Sequence, residues 1–108
     1  MENNQLLSII HASEDIDDLA VKIKKDTSIE RCKLHLAESL KISYTIESFL
    51  NYNLELSEYK HTINDVIADL RIAYDSKNIN EIHSKMSSCI YSNSIIYANL
   101  IEFYKKLY

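Results

Sequence analysis

Apolar residues recur at three- and four-residue spacing along almost the whole chain, which places them on one face of an α-helix. Polar stretches rich in Asn, Asp and Ser interrupt this pattern three times. The segments between them cover about residues 4–25, 28–51, 55–75 and 78–107. Because short connections make consecutive helices run in opposite directions, the pattern predicts one all-α domain over residues 1–108, an antiparallel four-helix bundle.

The first segment allows two interpretations. Its apolar stripe runs without a break through Ser13, but the stretch SEDIDD at residues 13–18 also has the composition of a helix start. The segment is therefore either one helix with a polar middle or a short lead-in followed by a helix from Ser13. The continuous stripe favours one helix, with room for a bend.

Helix starts are indicated at two further places. Thr27 with Glu30, and Asn78 with Glu81, have the spacing of a capping box, in which the side chain of the first residue accepts from a free backbone N–H. These pairs predict the beginnings of the second and fourth helices.

The fourth segment has the most regular apolar stripe, a seven-residue repeat in which Asn93 is the only polar member. A single buried Asn in such a seam fixes the register of packed helices at some cost in stability. The stripe consists of Ile79, Ile82, Met86, Cys89, Asn93, Ile96, Leu100, Phe103 and Leu107.

A second apolar stripe lies beside the first, and no charged residue occurs from Met86 through Ile101. Together the stripes cover about half of the helix surface, more than the roughly 100° that a bundle helix needs. Either this helix sits deeper than its neighbours, or the second stripe contacts another protein chain, for which tyrosine is well suited. The candidate partner-binding residues are Ile90, Tyr97, Ile101, Tyr104 and Tyr108, with Tyr91 and Ile95 outside the arc.

Four acidic residues, Glu14, Asp15, Asp17 and Asp18, form a cluster in the first helix. They are either a solvated helix face or the charged rim of a protein interface. The net charge of −4 argues against nucleic acid as a partner, since binding it requires a basic face. The uncharged segment of the last helix is too short to span a membrane well, and no basic signal sequence precedes the first helix, so a cytoplasmic protein is expected.

The chain contains no glycine and no proline, which disfavours tight hairpins and glycine-rich phosphate loops. Its two cysteines, Cys32 and Cys89, both lie on apolar stripes, where buried free thiols are the favoured interpretation. A helical protein with almost no loops has few places for catalytic groups. We therefore expect a protein that is not an enzyme.

A metal-binding or enzymatic bundle is the competing class. Glu58 and His61 have the Glu-x-x-His spacing of di-iron bundles, and Cys32 and His35 share a helix face. Neither pair has a second pair of the same kind, so no metal and no cofactor are expected.

The function that fits this pattern best is binding to a protein partner through a helical face. Such a protein could be a small regulator or inhibitor, of the mobile-element or immunity type, and a homodimer is also expected from the wide apolar helix. A helical chaperone of the secretion or flagellar type is the alternative, because such proteins hold amphipathic helices in grooves.

Overall fold

The computed structural model describes residues 3–108 and confirms the antiparallel four-helix bundle. The bundle measures 42 Å along its long axis and 20 by 19 Å across. Each helix packs against two neighbours, so that α1 and α3 both contact α2 and α4. The helices are α1 Asn3–Lys25, α2 Ile29–Tyr52, α3 Lys60–Asp75 and α4 Ile79–Leu107, with a 3₁₀ helix at Leu54–Tyr59.

The first helix is continuous, as its apolar stripe predicts, and does not begin at Ser13. The side chain of Ser13 is buried in the bundle, where it meets a polar partner on α4 instead of capping a helix. The acidic residues that follow Ser13 are therefore internal to α1.

The cap of α2 lies one residue later than the sequence predicts. The N-cap is Ser28, whose hydroxyl accepts from the backbone N–H of Arg31, whereas Thr27 lies before the helix. Asp26 accepts from the Ser28 N–H and from the Arg31 guanidinium, and these contacts hold the pKa of Asp26 well below its ordinary value. The turn is thus ordered by Asp26, a contribution that the Thr27 spacing does not reveal.

Asn78 caps α4 as predicted. Its side-chain oxygen accepts from the backbone N–H groups of Asn80 and Glu81, at 2.9 and 3.4 Å. These are two of the donors that a helix N-terminus leaves without an intrahelical partner.

The third helix is shorter than predicted, because residues 54–59 form the 3₁₀ helix before α3 begins at Lys60. Short 3₁₀ segments are common where an α-helix starts. Leu56 is buried within this segment and Tyr59 is half-buried three residues later, where its hydroxyl donates to the Asn99 side chain of α4. The tighter turn thus keeps both residues on the bundle side.

Residues fifty positions apart occupy equivalent places in the helical hairpins α1–α2 and α3–α4. The N-caps Ser28 and Asn78 form one such pair. The succession of buried, half-buried and exposed side chains over residues 29–48 of α2 is repeated over residues 79–98 of α4. The bundle is therefore a structural repeat of one hairpin, and each half serves as an internal comparison for the other.

Both cysteines are free and buried, as the sequence predicts. Burial raises the pKa of the Cys89 thiol to about 12, with a smaller contribution from the charge of Asp69. The same cause raises the pKa of Cys32. Neither thiol is poised to act as a nucleophile at neutral pH.

The Cys89 thiol should make stability fall at high pH. Its pKa rises from an ordinary 9.0 to about 12 on folding, so above pH 9 the unfolded chain ionises first. The contribution to the free energy of unfolding is complete below pH 9 and is lost as pH approaches 12. Urea unfolding at about pH 8 and pH 10.5 should show a loss of about 1–2 kcal/mol beyond that in Cys89→Ala. Equal losses in both proteins would contradict this assignment.

Candidate functional site

The partner-binding residues predicted from the sequence belong to two different surfaces of α4. Ile90, Tyr97, Ile101 and Tyr104 are half-buried and pack against the core. Tyr97 lies opposite the acidic residues of α1, and the seven-residue spacing of Ile90, Tyr97 and Tyr104 keeps them on the side facing α1. The second stripe is therefore neither fully enclosed nor fully exposed.

Tyr108 is 55% exposed at the end of this stripe, with its ring centroid 5.2 Å from that of Tyr104. Its backbone N–H donates to the Tyr104 carbonyl, which extends the helical hydrogen bonding to the last residue. The pair forms the aromatic end of the stripe.

Tyr91 and Ile95 lie on a separate surface, the outer face of α4. Tyr91 is 71% exposed and Ile95 is 38% exposed, and the other exposed residues around them are small and uncharged. The outer face consists of Ser84, Ser87, Ser88, Tyr91, Ser94, Ile95 and Ala98.

The equivalent face of α2 has a different character. The same seven positions are exposed there, but they include the opposite charges Glu38 and Lys41. Lys41 occupies the position of Tyr91, and Thr45 that of Ile95. Since these positions have the same pattern of exposure on α2 and α4, the lack of charge on the outer face of α4 is a property of its sequence and not of its place in the fold.

A groove of about 280 Å³ separates α1 from α4. It brings together the predicted acidic rim and the second stripe of α4, which are about eighty residues apart in the sequence. The groove is lined by Ser13, Glu14, Asp17, Asp18, Asn93, Ser94 and Tyr97. Asp15 is exposed but does not line the groove, so three of the four predicted rim residues do.

The floor of the groove is a polar contact between α1 and α4. The Ser13 hydroxyl donates to the Asn93 side-chain oxygen at 3.0 Å, and the Asn93 amide donates to the Ser13 carbonyl at 2.8 Å. The same amide donates to an Asp17 carboxylate oxygen at 3.3 Å. Because Ser13 and Asn93 are both buried, this network fixes how α1 and α4 are aligned.

The carboxylates in the acidic wall of the groove have few positively charged partners within the described residues. Glu14 lies 3.3 Å from the exposed His11, and Asp17 accepts from Asn93, but no lysine or arginine pairs with Glu14, Asp17 or Asp18 over residues 3–108. Like charges three and four residues apart on a helix destabilise it by about 0.2–0.5 kcal/mol per pair. Lys22, four residues after Asp18 on the same helix, offsets part of this repulsion without forming an ion pair.

The residues of the metal-binding alternative lie at opposite ends of the bundle. Cys32 and His35 are in the first turns of α2, whereas Glu58 and His61 flank the start of α3, next to the far end of α2. Within residues 3–108, no group of three or more His, Cys, Asp or Glu side chains is arranged to hold a metal ion. The two pairs therefore do not form one site.

Sequence reasoning did not anticipate the Ser13–Asn93 network. The signal was present, because each residue is a polar member of an otherwise apolar stripe, and two such residues on neighbouring helices tend to meet.

Family models, curated proteins and solved structures were each compared with the chain, and none matches it. None of the helices within residues 3–108 has the length and apolarity needed to cross a bilayer.

Proposed function

We propose that the protein acts by binding another protein through the α4 side of the bundle, as a small helical regulator or inhibitor. The observation that carries this proposal is the uncharged outer face of α4, with Tyr91 standing 71% exposed at its centre. Charged residues are depleted and tyrosine is enriched in the cores of protein interfaces. The equivalent face of α2 carries the charged residues Glu38 and Lys41, so the lack of charge distinguishes the outer face of α4.

A chaperone-like role is the second candidate, and the groove between α1 and α4 favours it. Helical proteins that hold an amphipathic segment do so in a groove with apolar contacts along its length. Half-buried Ile90, Tyr97, Ile101 and Tyr104 supply such contacts here.

The outer face is tested by replacing Tyr91 and Ile95 together with serine. Partners recovered by affinity purification from cells that naturally make the protein should be lost, because the two exposed apolar anchors are gone. The same double variant should remain folded and lose about 1–2 kcal/mol of unfolding free energy, mostly at Ile95, which is 38% exposed, whereas Tyr91 is 71% exposed.

The matched control is Tyr52→Ser combined with Leu34→Ser, which removes one tyrosine and one aliphatic side chain that are 88% and 73% exposed on α2. This control should retain the partners. Light scattering at several concentrations identifies the case in which the partner is a second copy, because the mass should then fall to that of a monomer only in the α4 variant. Unchanged partners and unchanged mass in the α4 variant would overturn the proposal.

A further inference from the structure

We infer that the partner presents a positively charged amphipathic helix, which lies in the groove between α1 and α4. This inference rests on the proposed function, because it names the class of segment that the α4 side receives. It concerns the groove and not the outer face, so each can fail separately.

The negative charge of the groove favours a positively charged partner. Glu14, Asp17 and Asp18 line one wall of the groove, and none of them pairs with a lysine or arginine among residues 3–108. A lysine or arginine from a partner would supply the missing counter-charge. Tyr97 also lines the groove, and a tyrosine ring can attract such a cation.

The second half of the bundle shows that the acidic wall is not required by the fold. The positions on α3 equivalent to Glu14, Asp17 and Asp18 are Asn64, Ile67 and Ala68, none of which is charged. On that side, the Arg71 side chain of α3 donates to the Tyr44 hydroxyl of α2 and bridges the two helices. The corresponding residues beside the groove are Val21 and Ser94, which cannot form such a bridge.

The α1–α4 and α2–α3 sides therefore differ in charge, as binding of a cationic segment to the α1–α4 side would require. On the α2–α3 side, Arg71 contacts the Tyr44 ring and hydroxyl, whereas the described residues that line the α1–α4 groove include carboxylates and a tyrosine but no lysine or arginine. A cationic side chain from outside would complete on α1–α4 the kind of contact that Arg71 makes on α2–α3.

Apolar contacts and size argue for a helix carrying this cation. Half-buried Ile90 lies on one side of the groove centre and Ile101 and Tyr104 on the other, in line along α4. The groove volume of about 280 Å³ is slightly below the about 300–1,000 Å³ usual for small-molecule sites. It suits one or two inserted side chains, with the rest of the segment lying along α4.

The probe is a labelled synthetic helix of leucine and lysine, with its leucines on one face. About 18 residues give a helix of about 27 Å, shorter than the 42 Å bundle. Fluorescence anisotropy at about 0.15 M salt should give a Kd of about 10 μM or tighter. A leucine–glutamate helix of the same length, and a flexible lysine–glycine–serine peptide of the same charge, should bind at least about tenfold more weakly.

Glu14→Gln combined with Asp18→Asn removes two charges from the groove while keeping side-chain shape, and should weaken the leucine–lysine helix at least about tenfold. Glu38→Gln on α2 is the control and should leave its Kd unchanged. Equal binding of the flexible lysine peptide would mean charge attraction only, and equal binding of the glutamate helix would mean apolar contact only. Either result would overturn the inference, and so would unchanged binding by the double variant or no binding by any peptide. The Tyr91 and Ile95 experiment would still test the outer face separately.

Discussion

Replacing Asn93 with alanine is expected to lower the free energy of unfolding by about 2–4 kcal/mol. The change removes the side-chain oxygen that accepts from the buried Ser13 hydroxyl and the amide that donates to the Ser13 carbonyl and to Asp17. A buried hydroxyl left without a partner costs about 1–3 kcal/mol, and the space left by the amide adds to this. For a domain of this size, such a loss is a large part of the total stability.

The double variant Ser13→Ala with Asn93→Leu should behave differently. It removes both polar partners and fills the space with apolar atoms, so its stability should remain within about 1 kcal/mol of the unchanged protein. Urea unfolding of Ser13→Ala, of Asn93→Leu and of the double variant gives the coupling energy between the two side chains. A double variant as unstable as Asn93→Ala would show that shape, and not hydrogen bonding, makes Asn93 suitable here.

Replacing Tyr97, Ile101 and Tyr104 together with serine should lower the free energy of unfolding by about 3–5 kcal/mol. Full burial of a large apolar side chain is worth about 1.5–3 kcal/mol, and these three are half-buried against the core. About half of that value for each residue, together with imperfect repacking, gives the expected loss.

Thermal and urea unfolding of this triple variant test the prediction, with Tyr52→Ser as a control at an exposed tyrosine. Stability equal to that of the unchanged protein would mean that the stripe is purely an external surface. The predicted loss also means that weaker partner binding by the triple variant would not by itself locate the interface, which is why the variants at Tyr91 and at the groove carboxylates are the informative ones.

The bundle could be predicted from the sequence because its main cause is periodic. The stripe of α4 and the polar turns at residues 26–28 and 76–78 determine where helices form and how they pair. The cap at Ser28 and the 3₁₀ helix at Leu54–Tyr59 were missed, because both depend on local hydrogen bonds for which the spacing of apolar residues carries no information.

The candidate site was predictable only in parts. The acidic cluster and Tyr97 could each be recognised, but that they line one groove depends on how α1 and α4 are aligned, which the Ser13–Asn93 contact fixes. The separation of Tyr91 from Tyr97 could be predicted, because Tyr91 falls outside the apolar arc of the helix, but which neighbour the Tyr97 side faces depends on the position of α1 beside α4.

The groove between α1 and α4 as a docking surface is tested most directly by following backbone amide signals in NMR during titration with the leucine–lysine helix. The largest shifts are expected at residues 14–18 of α1 and 94–101 of α4, with the equivalent residues 64–68 and 44–51 unaffected. Chemical-shift changes of similar size in both halves of the repeat, or no changes at a large excess of peptide, would contradict this account of the groove.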